Sequence, residues 1–265
     1  MTNLNTNTNK DNLYSWLDAI AILAWGLLLL KYVITGELRL LIHPNYFVLV
    51  LISSIVLLLI GTIKAVLIVL DRQQNNRNNE HITLFPLGVG SSILLIIALA
   101  GFLIPPKILT SQTAMQRGVS DIPLTRIKPQ AFRTSSKPET RSLIDWIRTL
   151  NAYPEPDAYQ GLPANISGFV LHLEELPDNY LLLSRFVITC CAVDAYPIGI
   201  PVKLETSRRN YPPDSWLEIK GEMMTETLPS QDRTLSTTTK EKRQLVLVAK
   251  SIQKIPTPAD PYNYQ

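Results

Sequence analysis

Three long hydrophobic stretches within the first 104 residues constrain the fold of this chain more than any other feature. A helix needs about 20 apolar residues to cross a bilayer core of about 30 Å. Residues 46–70 contain a single charge, at Lys64, and residues 82–104 contain none before two prolines that a helix cannot easily pass. These two stretches therefore predict transmembrane helices.

The first hydrophobic stretch, about 14–35, is interrupted by Asp18 and Lys31. It lacks the basic region of a signal peptide, because Lys10 is the only basic residue before it, and no small-x-small cleavage site follows its apolar core. We interpret it as a retained helix, which makes residues 1–104 a transmembrane domain of three helices. Both of its charges lie near helix ends, so their side chains are expected to reach the interface.

Three helices place the two ends of the chain on opposite sides of the membrane. Positive charges on the two sides are nearly balanced, so the positive-inside comparison does not decide the orientation. The Asn-rich loop of residues 71–81 is suited to the cytoplasm. The sequence therefore predicts a multi-pass protein of the plasma (inner) membrane, with its soluble domain outside the cytoplasm.

Small residues cluster on the third predicted helix, and they allow another helix to approach closely. Two interpretations of this cluster stay open, which are contact with a membrane partner and packing within this chain. The small residues are Gly88, Gly90, Ser91, Ser92, Ala98, Ala100 and Gly101.

The second half of the chain has the composition of a linker followed by a soluble domain. Residues 105–138 are rich in proline, serine, threonine and basic residues without a sustained period, which is typical of a linker. From Glu139 to Ala152 the apolar residues recur at helical spacing. We therefore expect a short helix to open a soluble domain over residues 139–265.

Five runs rich in β-branched and aromatic residues follow this helix, and each is bounded by turn-forming residues. Together with Gly168 early in the first run and Gly221 in the fourth, they predict a five-stranded OB-like Greek-key barrel. A five-stranded sandwich is the alternative. The predicted strands are Ile166–Glu174, Tyr180–Cys191, Ile198–Glu205, Trp216–Thr225 and Gln244–Ile255.

Composition and motifs argue against an enzyme and against nucleic acid as a partner. The formal charge of +3 is small for a nucleic-acid-binding protein, and Arg208, Arg209 and Tyr211 form only a meagre version of a single-strand-binding surface. The chain has three histidines and no phosphate-binding loop, nucleophile elbow or HExxH helix. Two cysteines cannot form a disulfide framework or a Cys-only zinc site.

The adjacent Cys190 and Cys191 are the strongest candidates for specific chemistry. Neighbouring residues of a strand point to opposite faces, so both thiols reach one ion only if the strand ends or bulges there. Asp194 and Pro197 indicate a turn nearby, and Asp194 with His172 could complete a tetrahedral set for zinc or a similar soft or borderline metal. The alternatives are packing of the thiols as small hydrophobes, a vicinal disulfide, and Asp194 as a simple turn cap.

Several segments of the chain form distinctive motifs. They include Gly168–Val170 in the first strand, the segment Arg-Phe-x-Ile-x-Cys-Cys-Ala-x-Asp-Ala over residues 185–195, and Trp216–Gly221. Together with Gly36, Ile-His-Pro over residues 42–44 and Pro-Tyr near the end of the chain, they resemble the YcgQ-type bacterial membrane proteins. The resemblance covers most of the chain, and its motif residues are Arg185, Phe186, Asp194, Ala195, Trp216 and Gly221.

The resemblance implies a subunit of a two-component permease, with a separate polytopic permease in the same membrane as its partner and no established substrate. The predicted function is a non-enzymatic accessory subunit of that complex, whose barrel gates the permease or handles its substrate. The alternative is a membrane-tethered metal-binding or thiol-redox module that uses Cys190 and Cys191. The expected partners are the permease and the lipid bilayer, without nucleic acid.

Overall fold

The computed structural model describes residues 4–70, 88–118, 137–229 and 241–264. The chain divides into two compact units, Met1–Lys107 and Ile108–Gln265. The first unit contains the apolar helices α1 (Leu4–Thr35), α2 (Phe47–Leu70) and α3 (Val89–Leu103).

Among the described residues, two helices of the first unit are long and apolar enough to cross a membrane, judged by length and composition. These candidate spans are Leu13–Thr35, with 23 residues, and Pro44–Leu70, with 27 residues. The third predicted span is represented by α3, which has only 15 residues, and its predicted start over residues 82–87 lies outside the described residues. The structure therefore gives two candidate spans where the sequence predicts three.

Helix α1 packs closely against α2 because each helix places a glycine against a leucine of the other. A Cβ atom at Gly26 would lie 2.9 Å from Leu58, and a Cβ atom at Gly61 would lie 2.7 Å from Leu23. The buried hydroxyl of Ser54 donates a hydrogen bond to the carbonyl of Gly26 at 2.9 Å. Small residues and the Ser54 hydrogen bond thus help to hold this pair together, as is usual where helices meet in an apolar environment.

Small residues of α3 allow this helix to pack closely against α1. A Cβ atom at Gly101 would lie 2.7 Å from Leu28, and Ala98 is fully buried. The carbonyl of Gly101 also accepts a hydrogen bond from the Tyr32 hydroxyl at 2.8 Å. These contacts support the second of the two interpretations of this cluster, which is packing within the chain.

One charged pair joins α1 and α2. Nζ of Lys64 lies 2.8 Å from Oδ2 of Asp18, and the hydroxyl of Ser91 in α3 donates to the same carboxylate. The Asp18 side chain, which we expected to reach the interface, is thus paired with Lys64 of the neighbouring helix. Pairing lowers the cost of placing either charge in an apolar environment.

The second unit is built around a closed barrel of five strands. Strand β1 pairs with β2 and β4, β2 pairs with β3, and β5 pairs with both β3 and β4, which closes the ring. The closure confirms the predicted five-stranded barrel over the sandwich alternative. These strands are β1 (Pro163–Leu171), β2 (Tyr180–Ile188), β3 (Tyr196–Lys203), β4 (Trp216–Pro229) and β5 (Glu241–Lys254).

Two elements of this unit are absent from the sequence prediction. The short helix α4 (Ser111–Arg117) lies inside the predicted linker of residues 105–138. A sixth strand, β6 (Tyr262–Tyr264), pairs in parallel with residues 186–188 of β2. Both are short, and neither shows a hydrophobic period long enough to be recognised without its tertiary contacts.

The expected short helix is α5 (Leu143–Ala152), which packs against the barrel core. It begins with a capping box, in which the Ser142 side chain accepts a hydrogen bond from the backbone of Asp145 and the Asp145 carboxylate accepts one in return. Trp146 of α5 is fully buried, and its ring meets that of Tyr159 edge-on with centroids 6.2 Å apart. This apolar face anchors the helix to the barrel.

Candidate functional site

The turn over residues 189–194 follows directly on β2 and is organised by one carboxylate. Oδ2 of Asp194 accepts a hydrogen bond from the backbone N–H of Cys190 at 2.9 Å, and Oδ1 accepts one from the N–H of Cys191 at 3.1 Å. The hydroxyl of Thr189 donates to the same carboxylate. Asp194 therefore caps the turn, which is the simpler of the two roles considered for it.

The turn brings the two thiols together. The Sγ atoms of Cys190 and Cys191 are 3.7 Å apart. The predicted strand continued to Cys191, which would have sent the thiols to opposite faces, but β2 ends at Ile188. Because Cys190 is exposed and Cys191 is half-buried, the pair does not pack in the core as small hydrophobes.

Three of the four predicted metal ligands lie together, and the fourth does not. The ligand atoms of Cys190, Cys191 and Asp194 all lie within 4.8 Å of one another. His172 follows β1, and its Nε2 lies 2.9 Å from the carbonyl oxygen of Tyr211. His172 is therefore not grouped with the thiols, and its ring instead fixes the loop that precedes β4.

The electrostatics of the turn are governed by the Asp194 carboxylate. Its hydrogen bond to the thiol, together with that of Cys191, raises the pKa of Cys190 from 9.0 to about 11. Partial burial by itself would raise the pKa of Asp194, but hydrogen bonds from Thr189 and Cys190 outweigh it and lower the pKa. At neutral pH the turn therefore holds a protonated Cys190 thiol against an ionised carboxylate.

We expect Cys190 to react slowly with iodoacetamide, because the thiolate is the nucleophile. A pKa of about 11 in place of 9.0 means about 100-fold less thiolate at neutral pH. The greater nucleophilicity of the more basic thiolate offsets part of this loss of thiolate. Alkylation of Cys190 is therefore expected to be about tenfold slower than for an ordinary cysteine. In a Cys191→Ser background, Asp194→Asn is expected to raise the alkylation rate of Cys190 about tenfold. The rate is measured by mass spectrometry between pH 7 and 9.

The matched control for this prediction is Asp178→Asn, which removes a carboxylate that precedes β2, at the opposite end of that strand from the cysteine turn. It should leave the alkylation rate unchanged. An Asp194→Asn rate equal to that of the Cys191→Ser background would contradict the role given to this carboxylate.

Arg117, which the sequence did not single out as a site residue, binds the backbone at the end of the turn. Nη1 of Arg117, the last residue of α4, donates to the carbonyl of Ala192 at 3.1 Å and also to the carbonyl of Ala195. The start of α4 is fixed in turn by Asp214, whose carboxylate accepts from the backbone and hydroxyl of Ser111 at 2.6 and 2.9 Å. No local pattern identifies Arg117, because its partners lie more than 70 residues away.

The motif residue Arg185 lies between the part of β2 that pairs with β1 and the part that pairs with β6. Residues 182–184 pair with β1 and residues 186–188 pair with β6. Between them, Nε and Nη2 of Arg185 each lie 3.0 Å from an oxygen of Ser167 in β1, one from the carbonyl and one from the hydroxyl. Burial lowers the pKa of this guanidinium, which also lies 5.2 Å from the ring of Trp216.

Other motif residues build an aromatic cluster beside Arg185. The ring of Phe186 stacks on that of Phe169 with centroids 5.4 Å apart and meets Tyr262 edge-on at 6.3 Å. Trp216 contacts Phe169 from the other side at 6.0 Å. The cluster attaches β6 to the barrel, so these motif residues have a structural role next to the cysteine turn.

The arrangement defines a class of protein: a group of apolar helices, two of them candidate membrane spans, precedes a closed β-barrel that carries two adjacent thiols, one exposed and one half-buried. Residues 17–120 match the DUF1980 N-terminal domain, and residues 137–265 match the DUF1980 C-terminal domain. The chain belongs to the DUF1980 family. No curated protein matches it. The YcgQ-type resemblance and the permease role that it implies stay predictions.

Proposed function

We propose that this chain is a non-enzymatic accessory subunit of a membrane permease complex, with the barrel gating the permease or handling its substrate. The observation that carries the proposal is the apolar outer surface of the helices. Large side chains are exposed along α2 and α3, for example Leu59 at 56% and Ile96 at 65%. A surface of this extent needs lipid or another apolar protein to cover it.

The polar groups of the helices support an anchoring role rather than a transport path of their own. The carboxylate of Asp18 is already engaged by Lys64 and Ser91. The indole N–H of Trp25 donates to a backbone carbonyl of α3 at 3.0 Å. Polar groups that satisfy one another in this way fix the helices together, so the transported species is expected to cross through the polytopic partner.

The barrel supports binding rather than catalysis. Its parallel β3–β5 pairing within a closed five-stranded ring is the basis on which we propose an OB-like barrel. Arg208 donates to the carbonyls of Leu173 and Leu176, and Arg209 forms an ion pair with Asp178 at 3.8 Å. Because these arginines are engaged in loop contacts, the nucleic-acid role stays the less favoured one.

The proposal is tested by purifying the tagged full chain from its native membranes in mild detergent. We expect a polytopic membrane protein to be recovered with it at a fixed ratio. Recovery of the chain alone, with its permease co-expressed, would overturn the proposal. Protease accessibility of the barrel in intact cells tests whether the barrel lies outside the cytoplasm.

Two matched substitutions locate the contact with the partner. We expect Ile96→Trp on α3 to weaken the complex about 5- to 140-fold, since an overpacked interface costs about 1–3 kcal/mol. Leu59→Trp makes the same change on the exposed face of α2 and should leave recovery unchanged. If Leu59→Trp weakens the complex and Ile96→Trp does not, the partner binds α2 instead of α3.

The alternative function, a membrane-tethered metal-binding or thiol-redox module, is favoured by a different observation. The two sulfur atoms lie 3.7 Å apart on an exposed turn. The two functions are compatible, because a subunit of a permease complex can also bind an ion on its β-barrel.

A further inference from the structure

The separation of the two sulfur atoms matches one edge of a tetrahedral metal centre. With a Zn–S bond of about 2.3 Å and a tetrahedral angle, two thiolates on one ion lie about 3.8 Å apart. The Sγ atoms of Cys190 and Cys191 are 3.7 Å apart, so both could bind one ion without a change in the backbone. A disulfide would instead require them to approach to about 2.05 Å.

A third candidate ligand lies beside the two sulfur atoms. The carboxylate of Asp194 lies within 4.8 Å of both sulfur atoms. Backbone N–H groups of Cys190 and Cys191 fix its orientation. Oδ2 accepts two hydrogen bonds, from the Thr189 hydroxyl and the Cys190 N–H, whereas Oδ1 accepts one, from the Cys191 N–H. Because a carboxylate oxygen has two lone pairs, Oδ1 has room for a metal ion.

The turn itself is held from outside by Arg117, which donates to the carbonyls of Ala192 and Ala195. This contact limits the motion of the segment that carries Asp194. A preorganised ligand set loses less conformational freedom on binding than a flexible one. The arginine therefore acts as a positioning residue for the site.

The site is open. Cys190 is exposed, and His172, the fourth ligand predicted from the sequence, is bonded to the carbonyl of Tyr211 instead. Three protein ligands with a free fourth position are typical of sites that exchange a ligand, whereas structural zinc sites are closed by four. An ion here can be taken up from, and passed to, another donor.

We propose that Cys190, Cys191 and Asp194 bind a thiophilic divalent cation of the zinc type, with the fourth position left for an exchangeable ligand. Each thiol releases its proton to solvent as its sulfur binds the ion. Soft thiolate ligands select such cations over magnesium and calcium. The proposal rests on the geometry of the turn and does not depend on the permease partner.

The test uses the full chain in mild detergent with a phosphine reductant, titrated with Zn²⁺ against a chromophoric chelator. We expect one ion per chain. Cys190→Ser and Cys191→Ser should each weaken binding at least about 100-fold, because even indirect partners of a metal ligand are worth about 10- to 100-fold. Co²⁺ in place of Zn²⁺ should give a thiolate charge-transfer band that both variants lose.

Two further variants test which of the remaining candidate side chains binds the ion. His172→Gln should bind Zn²⁺ as the wild type does. Asp194→Asn keeps an oxygen donor and loses only its charge, so it should bind Zn²⁺ about tenfold more weakly, a smaller loss than that of the cysteine variants. Thermal unfolding of each variant shows whether the barrel is intact. Unchanged affinity in the cysteine variants, or an equal loss in His172→Gln, would overturn the proposal.

Two other results are equally decisive. If the isolated chain lacks two hydrogens in its mass, the thiols form a vicinal disulfide, and failure of the reduced chain to bind Zn²⁺ would then overturn the metal site. The Cys190→Ser/Cys191→Ser double variant should still be recovered with the polytopic partner. Loss of Zn²⁺ binding with the partner retained thus separates this proposal from the accessory-subunit proposal.

Discussion

Replacing Trp146 with alanine is expected to lower the free energy of unfolding of the barrel by about 3–5 kcal/mol. The Trp146 side chain is fully buried and belongs to the cluster that joins α5 to the barrel interior. Its removal forfeits the edge-on contact with Tyr159 and leaves a cavity that the strands cannot fill. The measurement is pulse proteolysis of the full chain in mild detergent at increasing denaturant.

Two controls make this prediction specific to buried volume. Trp146→Phe should cost less than half as much, because among the described residues the indole N–H has no hydrogen-bond acceptor whose loss would add to the cost. Val193→Ala, at a side chain that is 85% exposed, should change the stability by no more than about 0.5 kcal/mol. A loss below about 1 kcal/mol for Trp146→Ala would show that α5 does not contribute to the core.

Replacing Gly221 with alanine is expected to lower the free energy of unfolding by about 3 kcal/mol or more. A Cβ atom at this position would lie 2.0 Å from the carbonyl oxygen of Val248. The obstacle is backbone of the paired strand at the irregularity between Lys220 and Gly221, so a side-chain rotation cannot relieve it. The same proteolysis assay measures the loss.

The matched control is Gly199→Ala in β3. There the new Cβ atom would meet the side chains of Leu182 and Ser184, at 2.7 and 2.8 Å. Because side chains can rotate away and a backbone carbonyl cannot, this substitution should cost less than Gly221→Ala by at least about 1 kcal/mol. Equal losses for the two substitutions would contradict the account given for Gly221.

Much of the architecture follows from local patterns. The five strands are recognisable because alternating or continuous apolar runs are bounded by turn-forming residues, and all five runs overlap observed strands. Helix α5 is recognisable from its apolar period. Strand ends are less certain from sequence, and the end of β2 at Ile188 rather than Cys191 is the difference that matters for the thiols.

Other elements depend on partners distant in the chain. Helix α4 has seven residues, too few to be stable alone, and is held by Asp214 through its first residue and by the carbonyls of Ala192 and Ala195 through its last. Strand β6 has three residues and exists because β1 leaves the edge of β2 free beyond Ser184. The local sequence therefore predicts neither α4 nor β6.

The sequence by itself determined the division into apolar helices and a β-barrel domain, because hydrophobic length and period are local properties of the chain. It also singled out Cys190, Cys191 and Asp194. Only the tertiary structure decided that the sulfur atoms meet, that His172 is engaged elsewhere, and that Arg117 holds the turn. Those outcomes depend on where a strand ends and on contacts between segments far apart in the chain, which no local pattern encodes.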